Sequence, residues 1–177
     1  MNLILTGARG SGKSTTLGQV VAQLDCKLGG FYTYPLREER KKVGYQVMAL
    51  DTKATMTLAR IGLDSAFILG GHGVDLTTID EFIVPALRRA IASAELIVID
   101  EIGRMQCFAA DFLAVVIECL DSPTPVLATI SHRRLPFLDA VRDRDDVELV
   151  EVIPQNRVAL ATSLAAMLRA VLPNPVP

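Results

Sequence analysis

The stretch Gly7-Ala8-Arg9-Gly10-Ser11-Gly12-Lys13-Ser14-Thr15 constrains the fold more than any other part of the chain. It satisfies the spacing G-x-x-x-x-G-K-[ST] at every required position. The apolar run Leu3-Ile4-Leu5 leads into it, and Leu17, Val20, Val21 and Leu24 recur at helical spacing after it. A buried strand, a glycine-rich turn and a helix in that order make a loop whose backbone N–H groups converge on an anion at the helix N-terminus. The converging conformations exclude a Cβ, which is why glycines are needed. Every residue from Gly7 to Thr15 is therefore read as nucleotide-binding. Lys13 places an ammonium between the β- and γ-phosphates, Ser14 offers its hydroxyl to Mg²⁺, and Thr15 reaches toward the α-phosphate.

Alternating textures along the rest of the chain extend that start into a fold. Leu28 to Leu50 reads as two antiparallel strands flanking the charged stretch Arg37 to Lys42. Residues 51 to 76 are glycine-dotted and poorly periodic, with Ala66 to Leu69 as a short strand. Ile79, Phe82, Ile83, Ala86, Leu87, Ala90 and Ile91 follow the i, i+3, i+4, i+7 pattern of an amphipathic helix. Strands are predicted at Leu96–Ile99, Pro125–Ile130 and Val147–Ile153, and helices at Phe108–Leu120 and Leu135–Arg142. A last helix is lined by Val158, Ala161, Leu164, Ala165, Leu168 and Leu172. The pattern predicts an α/β fold of the P-loop NTPase type. It is a three-layer sandwich with a mainly parallel sheet, helices on both faces and an antiparallel hairpin insertion near residues 28–50. One domain is expected over 1–172, with a loose proline-rich tail at 173–177.

Charge and cysteine usage narrow the ligand. A net charge of −2 and a pI near 5.7 supply no basic field for nucleic acid or an acidic membrane surface, so neither is expected as a partner. Cys26, Cys107 and Cys119 are odd in number and lack C-x-x-C spacing, which argues against a disulfide framework or a structural zinc. No stretch approaches the roughly 20 apolar residues of a membrane span, and no secretory leader is evident. A cytoplasmic protein acting on a small anionic ligand is expected.

A phosphate loop needs a carboxylate to complete the Mg²⁺ shell. Leu96-Ile97-Val98-Ile99-Asp100-Glu101 supplies one at the C-terminal end of a buried strand, where ligands of open α/β sheets bind. Asp100 is read as the metal-shell residue, acting with Ser14. Glu101 directly after it is read as the general base that polarises the attacking water.

Several segments occur together in one order: Gly7 to Thr16, Gly30-Phe31-Tyr32-Thr33 with Arg37, and Ile99-Asp100-Glu101-Ile102-Gly103-Arg104-Met105. Val126-Leu127-Ala128-Thr129 and Asn156-Arg157 follow. Through them the chain resembles, from about residue 1 to 170, the small P-loop nucleoside-triphosphatase family first described from thermophiles, which includes the human cancer-related nucleoside triphosphatase. The resemblance implies slow Mg²⁺-dependent hydrolysis of ATP, GTP and other nucleoside triphosphates to diphosphate and phosphate, with little base selectivity. It implies Lys13, Glu101 and Arg104 as catalytic residues, Arg104 standing where the family has a lysine and neutralising charge on the γ-phosphate. It also implies that Asn156 and Arg157 lie near the base or ribose. The chain departs from the family pattern at Pro35, Gly73 and Gln106.

Two other functions share the loop. A small-molecule kinase needs an acceptor pocket and an arginine-bearing lid, and residues 51 to 76 supply only Arg60. A nucleotide-dependent switch or adaptor in cofactor assembly shares the fold, although the Asn-Lys-x-Asp guanine-reading motif is absent. His72, His132 and the Arg133-Arg134 pair are weighed as site residues and set aside for want of a partner visible in sequence. Cys107 and Cys119 read as core packing.

Overall fold

A computed structural model describes residues 1–173. All but the first residue of the expected 173–177 tail therefore lies outside the described residues. Nine strands form one sheet in the order β5-β6-β4-β3-β2-β7-β8-β1-β9. They are β1 (Asn2–Thr6), β2 (Leu28–Glu38), β3 (Lys41–Ala49), β4 (Thr55–Arg60), β5 (Ile68–Leu69), β6 (His72–Val74), β7 (Leu96–Ile102), β8 (Val126–Ile130) and β9 (Val147–Glu151). β2, β7, β8, β1 and β9 pair in parallel, whereas β3, β4, β6 and β5 continue the sheet antiparallel beyond β2.

Period-two alternation sends each central strand's side chains to two cores. Leu3, Leu5, Leu96, Val98 and Leu127 face helices α1 (Lys13–Val21) and α6 (Arg157–Arg169), meeting Leu17, Val20, Ala161, Leu164 and Leu168. Ile4, Ile97, Ile99, Ala128 and Ile130 face the other way. There they meet helices α3 (Val84–Ser93), α4 (Ala110–Asp121) and α5 (Pro136–Arg142) through Leu87, Phe112, Val116 and Leu138. The three expected layers are present.

Several details differ from the pattern reading. The antiparallel part does not stop at residue 50, because β4, β6 and β5 add to the hairpin of β2 and β3. The predicted strand at Ala66–Leu69 shrinks to Ile68–Leu69, paired to β6 across Gly70 and Gly71 at φ 59° and 80°. Two consecutive left-handed residues are the signature of a tight hairpin turn, so Gly70-Gly71 was a readable signal. The helix expected from Ile79 is three pieces: α2 (Leu76–Thr78), a π-helical turn (Ile79–Ile83) and α3. The wide turn sits just before Pro85, which has no N–H to give to the preceding turn. Phe108 and Cys107 lie in a 3₁₀ turn (Gln106–Phe108) before α4. Cys107 is therefore half-buried beside the core, while Cys119 is fully within it.

Candidate nucleotide site

The site gathers at the C-terminal ends of β1, β7 and β8. Gly7 has φ +141° and its missing Cβ would fall 2.5 Å from the Val152 carbonyl oxygen. Gly12, at φ +99°, caps the N-terminus of α1. A Cβ at Gly12 would lie 2.5 Å from Cδ of Arg157, so this side chain lies directly against the loop. Turn bonds from the Ser11 amide to the Ala8 carbonyl (3.0 Å) and from the Thr16 amide to Gly12 (2.8 Å) fix the curve. Lys13 reaches back over it, its Nζ donating to the carbonyls of Gly7 (3.0 Å) and Ala8 (3.3 Å). Ser14 and Thr15 are exposed at the start of α1.

Asp100 is 2% exposed, and its Oδ1 accepts from Ser14 Oγ at 2.9 Å and from Thr129 Oγ1 at 2.5 Å. The phosphate loop and two strands thus meet on one carboxylate. Burial pushes the Asp100 carboxyl up, against the hydrogen bonds from Thr129 and Ser14 and the Lys13 charge. The β7–β8 ladder slips between Ile99 and Ile102, so Asp100 and Glu101 lie within β7 where its pairing with β8 is irregular. The Glu101 carboxylate lies over Gly103, where a Cβ would meet Oε1 at 2.7 Å. Burial, then the Asp100 charge, push the Glu101 carboxyl up, while Lys13 and Arg9 pull it down. Burial and then the Glu101 charge raise the Cys107 thiol to about 11.

The donor set fits Mg²⁺. A hydroxyl and a carboxylate are hard oxygen ligands, and Mg²⁺ is commonly held by one or two protein oxygens with phosphate and water completing the shell. Among the described residues no cluster of three or more His, Cys, Asp or Glu forms a cage for another metal.

The other expected residues are placed unequally. Arg157 touches the loop and its Nε donates to the Pro154 carbonyl at 3.4 Å. Asn156 holds its own turn, with Oδ1 accepting from the Ile153 amide (3.0 Å) and Nδ2 donating to the Glu151 carbonyl (2.9 Å). Arg104 is exposed on the wall of a cavity of about 320 Å³, shared with Cys107, Phe108, Leu135 and Phe137. His132 is exposed. His72 sits in the distal hairpin with Nδ1 2.9 Å from the Gly70 carbonyl oxygen and its ring against Tyr45. Arg37 donates to the Arg40 carbonyl in its own turn at 3.1 Å. At Gly73 an added Cβ would strike the Leu63 carbonyl, so this position admits no side chain here.

Two neighbours of Asp100, Thr129 and Tyr32, lie in segments that carry the family resemblance but received no role from the sequence. Thr129 interrupts the apolar run of β8 one residue before its end, and a buried hydroxyl at that position was the available signal. Tyr32 stands opposite Asp100 in the β2–β7 register. Burial and then the Asp100 charge push its phenol up.

A glycine loop between a buried strand and a helix, with its serine bonded to an acidic strand end, defines the P-loop class of α/β nucleoside-triphosphate enzymes. The chain belongs to the NTPase family, whose model matches residues 2–165. It is 36% identical over 169 residues to the nucleoside-triphosphatase THEP1 of Thermotoga maritima, covering 96% of each. With the THEP1 of Methanocaldococcus jannaschii it shares 34% identity, covering 90% of this chain and 92% of the relative. The crystal structure of THEP1 from Aquifex aeolicus superposes with a TM-score of 0.86 at 28% identity, covering 95% of this chain and 99% of that one. The solution structure of a human cancer-related nucleoside triphosphatase superposes with a TM-score of 0.80 at 28% identity, covering 96% and 97%.

Proposed function

We propose that this protein is a Mg²⁺-dependent nucleoside-triphosphate phosphohydrolase that slowly converts ATP, GTP and other triphosphates to diphosphate and phosphate. The observation that carries the proposal is the 2.9 Å bond between Ser14 of the phosphate loop and buried Asp100, with Glu101 next in sequence. Residues Gly7 to Thr15 bind the phosphates through backbone N–H groups and the α1 dipole. Ser14 and Asp100 would hold Mg²⁺, which when bound would offset phosphate charge. Lys13 turns from the loop carbonyls to the bridging region between the last two phosphates.

Glu101 takes a proton from the attacking water, whose oxygen bonds to the γ-phosphorus as the bond to the β-phosphate oxygen breaks. Burial raises its pKa above the ordinary carboxylate value, which makes it a stronger base than an exposed glutamate. Arg104, in the segment after Glu101, is assigned to the charge developing on the γ-phosphate. Arg157 against the loop and Asn156 beside it are assigned to the nucleoside side. Asn156 already uses both ends of its amide on its own turn, which supports weak base selectivity. Among the described residues no helix is long and apolar enough to cross a membrane, and the three free cysteines are consistent with the cytosolic location we propose.

The test is phosphate release from ATP, GTP, CTP and UTP without any acceptor, with Mg²⁺ and with excess chelator. Release from all four with Mg²⁺ and none with chelator is expected. Release that begins only when a nucleoside is added would transfer the assignment to a kinase.

A further inference from the structure

The cavity of about 320 Å³ beside the nucleotide site has an apolar lining that takes no part in the proposed hydrolysis. It opens where the turn after β7 meets the start of α5. Arg104, Cys107 and Phe108 line it from the first segment, Leu135 and Phe137 from the second. Neither Glu101 nor any residue of Gly7 to Thr15 is part of that lining. The helices attached to the two places lie on opposite faces of the sheet. α1, which follows the phosphate loop, packs into the cluster of Leu3 and Val98, whereas Cys107, Leu135 and Phe137 pack on the cluster of Ile99, Phe112 and Leu138. One turn nevertheless joins them. The Cys107 amide donates to the Gly103 carbonyl at 3.1 Å, and a Cβ on that same Gly103 would meet Glu101 Oε1 at 2.7 Å.

The walls define a ligand. Phe108 and Phe137 offer aromatic surface, and Phe108 stays exposed even though its ring packs on Phe67 with centroids 5.1 Å apart. Arg104 is the one charged residue of the lining and makes no ion pair among the described residues. An unpaired guanidinium beside apolar walls suits one anionic group held by two parallel N–H donors. A single cation balances a carboxylate better than a phosphate monoester of nearly twice the charge. The volume is at the small end of ligand pockets, about 300–1,000 Å³, which suits one or two fused rings rather than a whole nucleotide.

We propose that this cavity is a regulatory site for a small flat aromatic carboxylate. The rings seat against Phe108 and Phe137, and the carboxylate draws the Arg104 guanidinium away from the γ-phosphate, which slows hydrolysis. The inhibitory half rests on the triphosphatase reading above, whereas binding in the cavity does not.

The probe is 2-naphthoate, with 2-naphthamide as its neutral isostere. Calorimetric titration of wild type should show saturable single-site binding with a Kd below about 1 mM. Saturating Mg²⁺-ADP should leave that affinity within about twofold, because the two sites share no lining residue. Arg104→Gln should weaken 2-naphthoate about tenfold, the worth of a charge-assisted bond, and leave 2-naphthamide within about twofold. Phe108→Ala should weaken both probes alike. Both residues are exposed, and unchanged melting temperatures will show that the variants fold. In phosphate-release assays of wild type, 2-naphthoate should lower kcat for Mg²⁺-ATP at constant KM. Absence of saturable binding, displacement of the probe by ADP, or an equal loss of both probes in Arg104→Gln overturns the site. Binding as expected with an unchanged kcat overturns the regulatory role. A wild type that releases no phosphate even without the probe refutes the triphosphatase reading and the inhibition with it, and the titrations alone then decide the cavity.

Discussion

β1, β7 and β8 are buried almost along their whole length, whereas β4 is exposed at both ends and β5 is a two-residue edge. The first group runs parallel between two helix layers and carries Gly7, Asp100 and Thr129 at or beside its C-terminal ends. The second extends the sheet by antiparallel turns and exposes Met56, Ile61 and Ile68. Rigid, twice-covered strands hold polar groups to within a hydrogen bond of one another. The hairpin half has no such duty at the site; β2 joins both halves and pairs Tyr32 with Asp100. Chemistry and stability should therefore respond strongly to changes in the parallel half and weakly to changes in the hairpins.

The largest effect is on rate. As the proposed base Glu101 would act in its ionised form, and burial raises its pKa above that of a free glutamate. The acid limb of kcat should thus have its midpoint above about 4.3, losing close to tenfold per pH unit below it. A limb at or below that value would mean that burial does not control the base. Next comes the core under the site: Phe112 is fully buried and meets Phe31 edge-on at 6.3 Å between centroids. Phe112→Ala should lower unfolding free energy by about 3–5 kcal/mol in denaturant titrations, and a loss below 1 kcal/mol would contradict the two-layer core.

In the hairpin half, Asp75 caps α2 by accepting from the amides of Thr77 and Thr78. Asp75→Ala should cost about 1 kcal/mol and leave phosphate release per folded molecule unchanged. A fall in turnover there would break the contrast between the halves. The smallest effect is expected at the exposed Arg89–Asp51 pair, 2.6 Å apart. Removing it by Asp51→Ala should change stability by no more than about 1 kcal/mol, with less effect as salt rises.

Legibility in the sequence follows the same division. Continuous apolar runs at Leu3–Leu5 and Leu96–Ile99 and the helical spacing after Ile79 announce the parallel half, because burial on both faces leaves only apolar residues. Thr55–Arg60 does not announce itself: half its side chains are exposed, and pairing with β3 makes it a strand. Within the site, residues close in sequence were readable from spacing, as Gly7 to Thr15 and Asp100-Glu101 were. Thr129 and Tyr32 join through strand neighbours distant in sequence, which periodicity cannot reveal. Asn156 and Arg157 are adjacent in sequence but point to different work: one holds its turn and the other lies on Gly12.

The proposed chemistry depends on Glu101 as the base beside Asp100, the carboxylate that would hold Mg²⁺ with Ser14. Glu101→Gln keeps the size of the side chain and removes its basicity, so the direct measurement is single-turnover phosphate release with Mg²⁺-ATP, beside nucleotide affinity. The prediction is a rate at least about 100-fold below wild type, with affinity within a few-fold. A variant that releases phosphate at the wild-type rate would contradict the account.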